Sequence, residues 1–289
     1  MICGFLNVNK KKGMTSSRVV GKVKGILRAN GISGVKVGHT GTLDPDGEGV
    51  LPVAVGRATR LFDILSEKTK VYYTEFVFGK TTDTLDASGV VTALSEVMPE
   101  KNDILAVIPA LIGNIDQIPP AYSAKSVDGR RAYDLAREGK EFELKAHRVR
   151  IESIEYCGER EGGAHAFRIT CGGGTYIRSI ARDMAQALGT YGYMRYIRRE
   201  RSGIFTIEDS CTVEELEGGI VDKIIPIEAV LSDFPRYDCP SREVARVLNG
   251  VKAELEGMPE GVFRLYCDGV LTGLAGNDNG TIEVKTRLI

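Results

Sequence analysis

Residues 165–188 read HAFRITCGGGTYIRSIARDMAQAL, and the hydrophobic period changes part-way along this stretch. Residues 165–171 carry the β-branched and aromatic types of a strand. Gly172, Gly173 and Gly174 break the chain. Beyond them Ile177, Ile180, Ala181, Met184 and Leu188 recur at helical spacing, so a strand feeds a helix. Working outward, residues 147–156 read as a second strand. Residues 71–78 (VYYTEFVF) read as a third, whose period of two puts Tyr72, Thr74, Phe76 and Phe78 on one face. Near the start, residues 4–9 form a strand. A helix follows, capped by Ser16 or Ser17, with Val19, Val20, Val23, Ile26 and Leu27 as its apolar stripe. Strands and helices thus interleave along the chain.

Other segments divide the chain. Residues 38–48 (GHTGTLDPDGE) are a loop punctuated by Gly and Pro. Residues 118–131 are expected to form a long exposed loop, and 132–138 a short helix. Composition shifts near Ser232–Pro240. Beyond it VFRLYC, VLTGLAG and TIEVKTRLI are separated by the turn signals Asp268-Gly269 and Asn279-Gly280, which predicts a small, largely β domain. The 289 residues agree with about two domains. The boundaries are 1–232 and 233–289.

Composition is globular, with 43% hydrophobic and 27% charged residues. No apolar run approaches the roughly 18 residues of a membrane helix. A secretory signal is not expected at the start of the chain. The six cysteines include no C-x-x-C pair and are expected to be reduced thiols in the cytoplasm. The net charge of −1 hides an asymmetry. Residues 1–43 hold eight Lys/Arg and no acid, residues 1–206 hold 30 basic and 23 acidic side chains, and residues 207–289 hold 8 and 16. A basic working surface joined to an acidic remainder fits an anionic partner.

The loop D44-P-D-G-E-G49 opens like a calcium loop, but its twelfth position is Val55 rather than Glu. A phosphatase-type D-x-D nucleophile normally ends an apolar strand, whereas Asp44 follows G-H-T-G-T-L. GGGTYIRS lacks the G-K-[ST] of a phosphate loop and the third glycine of a dinucleotide fingerprint. His39, His147 and His165 are scattered, and nothing predicts a metal.

Taken together, G38-H-T-G-T-L-D-P45, G49-V-L-P52 and G56-R-A-T-R-L61 resemble the catalytic loop of the TruB family of tRNA pseudouridine synthases. KVYYTEFVFGKTTDTLDASG (70–89), QIPPAYSAKSVDGRRAYDLAREG (117–139), HRVRIESIE (147–155), GGGTYIRSIARDMAQALG (172–189) and YIRRERSGIF (196–205) follow in the family's order. The resemblance implies an α/β (α+β) fold: a pseudouridine-synthase catalytic domain on a mixed, largely antiparallel sheet, then a small β-rich PUA-like RNA-binding domain. It implies isomerisation of uridine 55 in the T loop of tRNA, with base flipping and with neither cofactor nor metal. The implied partner is the tRNA T stem-loop, with no membrane, and a monomer is expected.

By the same resemblance Asp44 is the catalytic carboxylate and Arg178 its arginine partner. Tyr72 stacks on the flipped uracil, Tyr176 and Ile197 line the pocket, and His39 lies near the flipped nucleotides. Residues 120–143 correspond to a thumb-like loop. Two departures stand out: Gly47-Glu48 replaces the usual Ala-Thr, and Lys10-Lys11 a Lys-Pro pair. The rival readings are a hydrolase with Asp44 as nucleophile and a non-catalytic RNA-binding protein.

Overall fold

The protein is described by a computed structural model covering residues 2–123, 125–127, 129–251 and 253–289. In chain order the strands among the described residues are β1 (Gly4–Lys10), β2 (Val37–His39), β3 (Glu48–Val55), β4 (Lys70–Phe78), β5 (Lys80–Thr82), β6 (Val91–Leu94), β7 (Gly113–Gln117), β8 (Ser126–Val127), β9 (Arg130–Arg131), β10 (His147–Arg160), β11 (Ala164–Cys171), β12 (Gly192–Ser202), β13 (Phe205–Thr206), β14 (Arg236–Cys239), β15 (Val262–Cys267), β16 (Val270–Asp278) and β17 (Thr281–Arg287). The main sheet runs β1-β3-β12-β4-β11-β10-β7, with β2 added to β3 and β13 to β12. All its pairs are antiparallel except β12 with β3. The fold is therefore mixed α/β with a largely antiparallel sheet, as the resemblance implies.

The period of two in β4 has the expected consequence. Tyr72, Thr74, Phe76 and Phe78 all point to the buried side. Tyr72, Phe76 and Phe78 join Val19, Val23 and Leu27 of the Ser16–Ala29 helix and Ile177, Ile180, Ala181 and Met184 of the Ile177–Ala187 helix in one apolar core. Leu188 lies just past the second helix and is only half-buried.

Three expectations need correction. The first helix is capped by Thr15, whose side chain accepts from the Arg18 N–H, and not by Ser16 or Ser17. The Ser16 hydroxyl is buried and bonds both the carbonyl (2.8 Å) and the N–H (2.9 Å) of Leu43, so it fastens the helix to the 40–47 loop. Residues 118–131 are not simply an exposed loop: Pro119, Pro120 and Ser123 are buried, and β8 and β9 form a two-stranded hairpin. The 147–156 strand runs on to Arg160.

The C-terminal strands form their own sheet, β14-β15-β16-β17. One of its faces merges with the larger unit, because Tyr266, Leu271, Leu274 and Leu288 pack with Phe5, Val50, Leu61, Phe205 and Leu231. Arg57 donates to the Leu288 carbonyl (3.1 Å) and Arg60 to the Arg287 carbonyl (2.7 Å).

Candidate active site

The loop between β2 and β3 carries Asp44, and two charged side chains brace it from beneath. Arg199 of β12 is fully buried and donates to the Val50 carbonyl (2.7 Å) and the Gly41 carbonyl (3.1 Å), so it holds both ends of the loop. Lys10, at the end of β1, is also fully buried and donates to the carbonyls of Met14 (2.6 Å), Lys11 (3.2 Å) and Pro45 (3.2 Å). Burial lowers the Lys10 ammonium to about 8 against the pull of Asp44, Asp46 and Glu48. Gly49 has φ +99°, and a β-carbon there would lie 2.3 Å from the Arg199 carbonyl oxygen, so only glycine lets β3 approach β12 this closely.

Arg178 reaches the loop from the first turn of the Ile177–Ala187 helix. Its side chain is 8% exposed, and its Nη2 lies 2.9 Å from Asp44 Oδ2. The other nitrogen, Nη1, lies 3.2 Å from Asp86 Oδ2. The guanidinium also donates to the carbonyls of Thr84 (3.0 Å) and Tyr122 (3.1 Å). Four acceptors thus fix the plane of one buried cation, a geometry the guanidinium fork provides and an ammonium does not. Burial pushes the Asp44 carboxyl above the ordinary carboxylate range; Arg178 opposes this, Asp86 adds to it, and Lys10 opposes it. The Asp44 side chain remains 41% exposed, open to an incoming ligand.

The other predicted site residues lie around this pair. Tyr72 is buried in β4 as the register partner of Arg199, and burial pushes its hydroxyl up while the guanidinium pulls it down. Tyr176 precedes the Arg178 helix and exchanges hydrogen bonds with the Gln117 amide through its backbone N–H (2.8 Å) and carbonyl (3.3 Å). Burial raises its phenol, with Arg178 and Asp44 both close enough to act on it. Ile197 of β12 packs under the loop: a β-carbon on Gly47 would sit 3.3 Å from its Cγ2. His39 ends β2, and burial, then Arg199, holds its imidazole below the usual range, which favours the neutral form. Its Nδ1 is buried without a partner among the described residues.

The departures from the family pattern are accommodated. Gly47 does not need a left-handed backbone, so the family's usual alanine differs there by one tight methyl contact. Glu48 accepts a hydrogen bond from the Tyr196 hydroxyl.

Sequence reasoning missed Asp86 and Arg199 as site components. The signal for Asp86 was its spacing: Thr84 and Ser88 flank it, and both hydroxyls donate to its Oδ1 (2.7 and 2.6 Å), a self-braced carboxylate. For Arg199 the signal was an arginine on the same face of its strand as Ile197, since an inward charge in a strand needs buried acceptors. Among the described residues no cluster of three or more His, Cys, Asp or Glu is placed to hold a metal. Among the same residues no helix is long and apolar enough to cross a membrane.

Comparison with known proteins defines the class first. Residues 24–177 match the family described as TruB family pseudouridylate synthase (N terminal domain), and residues 178–232 match the tRNA pseudouridylate synthase B C-terminal domain. The fold and sequence are those of a pseudouridylate synthase. A protein of Clostridium kluyveri named tRNA pseudouridine synthase B is 40% identical over 92% of this chain and 92% of its own length. One of the same name from Novosphingobium aromaticivorans is 38% identical over 99% of this chain and 97% of its own. A chain in the crystal structure of a Cbf5-Nop10-Gar1 complex superposes with a TM-score of 0.73 at 25% identity, covering 99% of this chain and 85% of that one. The chain belongs to the TruB family.

Proposed function

We propose that this chain is an isomerase that converts uridine 55 in the T loop of tRNA to pseudouridine, with Asp44 as the catalytic carboxylate. The names of its relatives support tRNA as the substrate. The observation that carries the reading is the partly exposed Asp44 carboxylate, bound at 2.9 Å by a buried guanidinium that Asp86 holds from the other side.

The reaction breaks the bond from ribose C1′ to uracil N1, turns the ring and joins C1′ to C5. The C5 proton leaves to water and N1 gains one, so the reaction is redox-neutral and requires no cofactor. A carboxylate serves such chemistry by attack at C1′, by attack at C6, or as a base on the ribose. In each case Arg178 opposes the effect of burial, favours the charged form and aims it. Tyr72 offers a π face to the flipped base, a contact worth roughly 1–3 kcal/mol that leaves the loose uracil free to turn. Tyr176 and Ile197 wall the pocket, and His39 serves the neighbouring flipped nucleotides as a neutral imidazole.

Residues 120–143 act as a thumb that closes on the T loop. Their Tyr122 carbonyl accepts from Arg178, which links the segment directly to the site. A groove of about 660 Å³ runs beside it, lined by Ile118, Pro119, Tyr122, Lys140 and Phe142. Residues 233–289 serve as a PUA-like RNA-binding domain. The protein works as a cytoplasmic monomer.

The test uses unmodified tRNA carrying tritium at uridine C5. Isomerisation releases tritium to water. Free uracil or inorganic phosphate would indicate the hydrolase instead, and binding with neither product would indicate a non-catalytic RNA-binding protein.

A further inference from the structure

Cys239 and Cys267 are 28 positions apart in the chain and carry no sequence motif, yet they are register partners on the parallel strands β14 and β15. In-register neighbours on a sheet point to the same face. Both thiols are buried in one apolar cluster, with Val247, Phe263 and Ala275 among its members. The Cys239 thiol donates to the Pro240 carbonyl (3.7 Å), and Cys267 is close enough to act on its ionisation. Adjacent strands lie about 4.8 Å apart, inside the range of roughly 4.4–6.8 Å between Cα atoms that a disulfide spans.

Their position on the sheet gives an oxidant a way in. Cys239 is the last residue of β14, the edge strand, and Cys267 is the last residue of β15, just before the Asp268-Gly269 turn. Only Pro240 follows before the chain turns at Ser241, whose Oγ reaches Asp268 Oδ1 across the rim at 3.4 Å. Fraying of a strand end is a low-energy local opening that leaves the rest of the sheet in place.

We propose that Cys239 and Cys267 form a dithiol couple that closes to an intrachain disulfide on reaction with a low-molecular-weight disulfide. One cysteine thiolate attacks a sulfur of that reagent, forms a mixed disulfide and expels one small thiol. The second cysteine thiolate attacks the protein-side sulfur and expels the other. Two protein thiols are thereby oxidised, one small disulfide is reduced to two thiols, and the two protons leave with them. Burial pushes the Cys239 thiol up to about 11, which makes the exchange slow and the reduced pair long-lived. Cys3 and Cys157 are half-buried in other parts of the fold, and in the described strand registers neither is paired with another cysteine. They end as mixed disulfides.

The experiment incubates the reduced full chain with oxidised glutathione, alkylates remaining thiols in denaturant, and maps peptides without reductant. The proposal requires a peptide joining Cys239 to Cys267, lighter by two hydrogens and restored to two thiols by dithiothreitol. In Cys239→Ser the joined peptide must vanish without any other cross-link appearing at Cys267. Recovery of both cysteines as alkylated thiols, or their linkage to any other cysteine, would overturn it.

Discussion

Replacing Arg178 tests the site most severely, because one side chain serves four acceptors. Arg178→Met removes the cation 2.9 Å from Asp44 and 3.2 Å from Asp86. The two carboxylates then face each other without it. Stranding one member of a buried ion pair costs about 3–5 kcal/mol. Asp86, whose side chain is 14% exposed, bears most of this, while water reaching Asp44 reduces its share. A charge-assisted hydrogen bond that aims the reacting group is worth about 1.5–3 kcal/mol, which converts to a fall in kcat of about 10- to 150-fold.

The pH profile gives a second signature. Asp44 already sits above the ordinary carboxylate range, and losing the guanidinium raises it further, so the acid limb of kcat moves to higher pH. Arg178→Lys keeps the charge but not the fork, and is expected to fall between the parent and Arg178→Met. Tritium release from pH 5 to 8 measures the rate, and filter binding at each pH keeps affinity separate. A folded Arg178→Met protein with kcat within about threefold of the parent and the same acid limb would refute the reasoning.

At Tyr72, Phe keeps the stacking face and is expected to retain turnover, whereas Leu loses the face and is expected to lose both base capture and rate; equal activity of the two in the tritium assay would remove the stacking role. Lys10 is lowered to about 8, so a pH–rate profile should show activity falling above pH 8 as its ammonium loses a proton. Lys70 is lowered to the same value, and an alkaline limb that persists in Lys10→Met would assign it to Lys70 instead. For stability the sign is opposite: the unfolded chain still binds these two protons between about 8 and 10.5, so denaturation at several pH values should show stability rising with pH across that window. Affinity for tRNA should fall linearly on a log–log plot as salt rises, and replacing Lys22, Lys24 and Arg28 with Ala should flatten the slope; an unchanged slope would place that helix face away from RNA.

Much of the fold was legible because its elements announce themselves locally. The period of two in 71–78 gave the buried face of β4, and the glycines at 172–174 marked where β11 hands over to the Arg178 helix. Asp44 was singled out by the loop that bears it. What lay beyond local reading was pairing across the chain. Nothing around residue 199 says that its side chain meets the carbonyls of Gly41 and Val50, and nothing around 86 says that it shares a guanidinium with 44. Thr15 displaced the expected serine caps because Ser16 is spent on Leu43, a contact 27 positions away in sequence. The shift near 232–240 falls just before the strands of the second sheet, and composition does not report that Leu271, Leu274 and Leu288 pack against residues of the first.

The central claim is that Asp44 drives isomerisation of one T-loop uridine. The most direct measurement compares the parent and Asp44→Asn on the same tRNA labelled with tritium at uridine C5, with the modified position mapped by carbodiimide treatment and primer extension. The substitution removes the charge and nearly keeps the shape, and Asp86 still balances Arg178, so the variant should fold and bind tRNA as the parent does. One tritium released per tRNA by the parent, a single stop at uridine 55, and no detectable release by Asp44→Asn are the expected results. Turnover by Asp44→Asn within about tenfold of the parent, or modification by the parent at a different uridine, would contradict the claim.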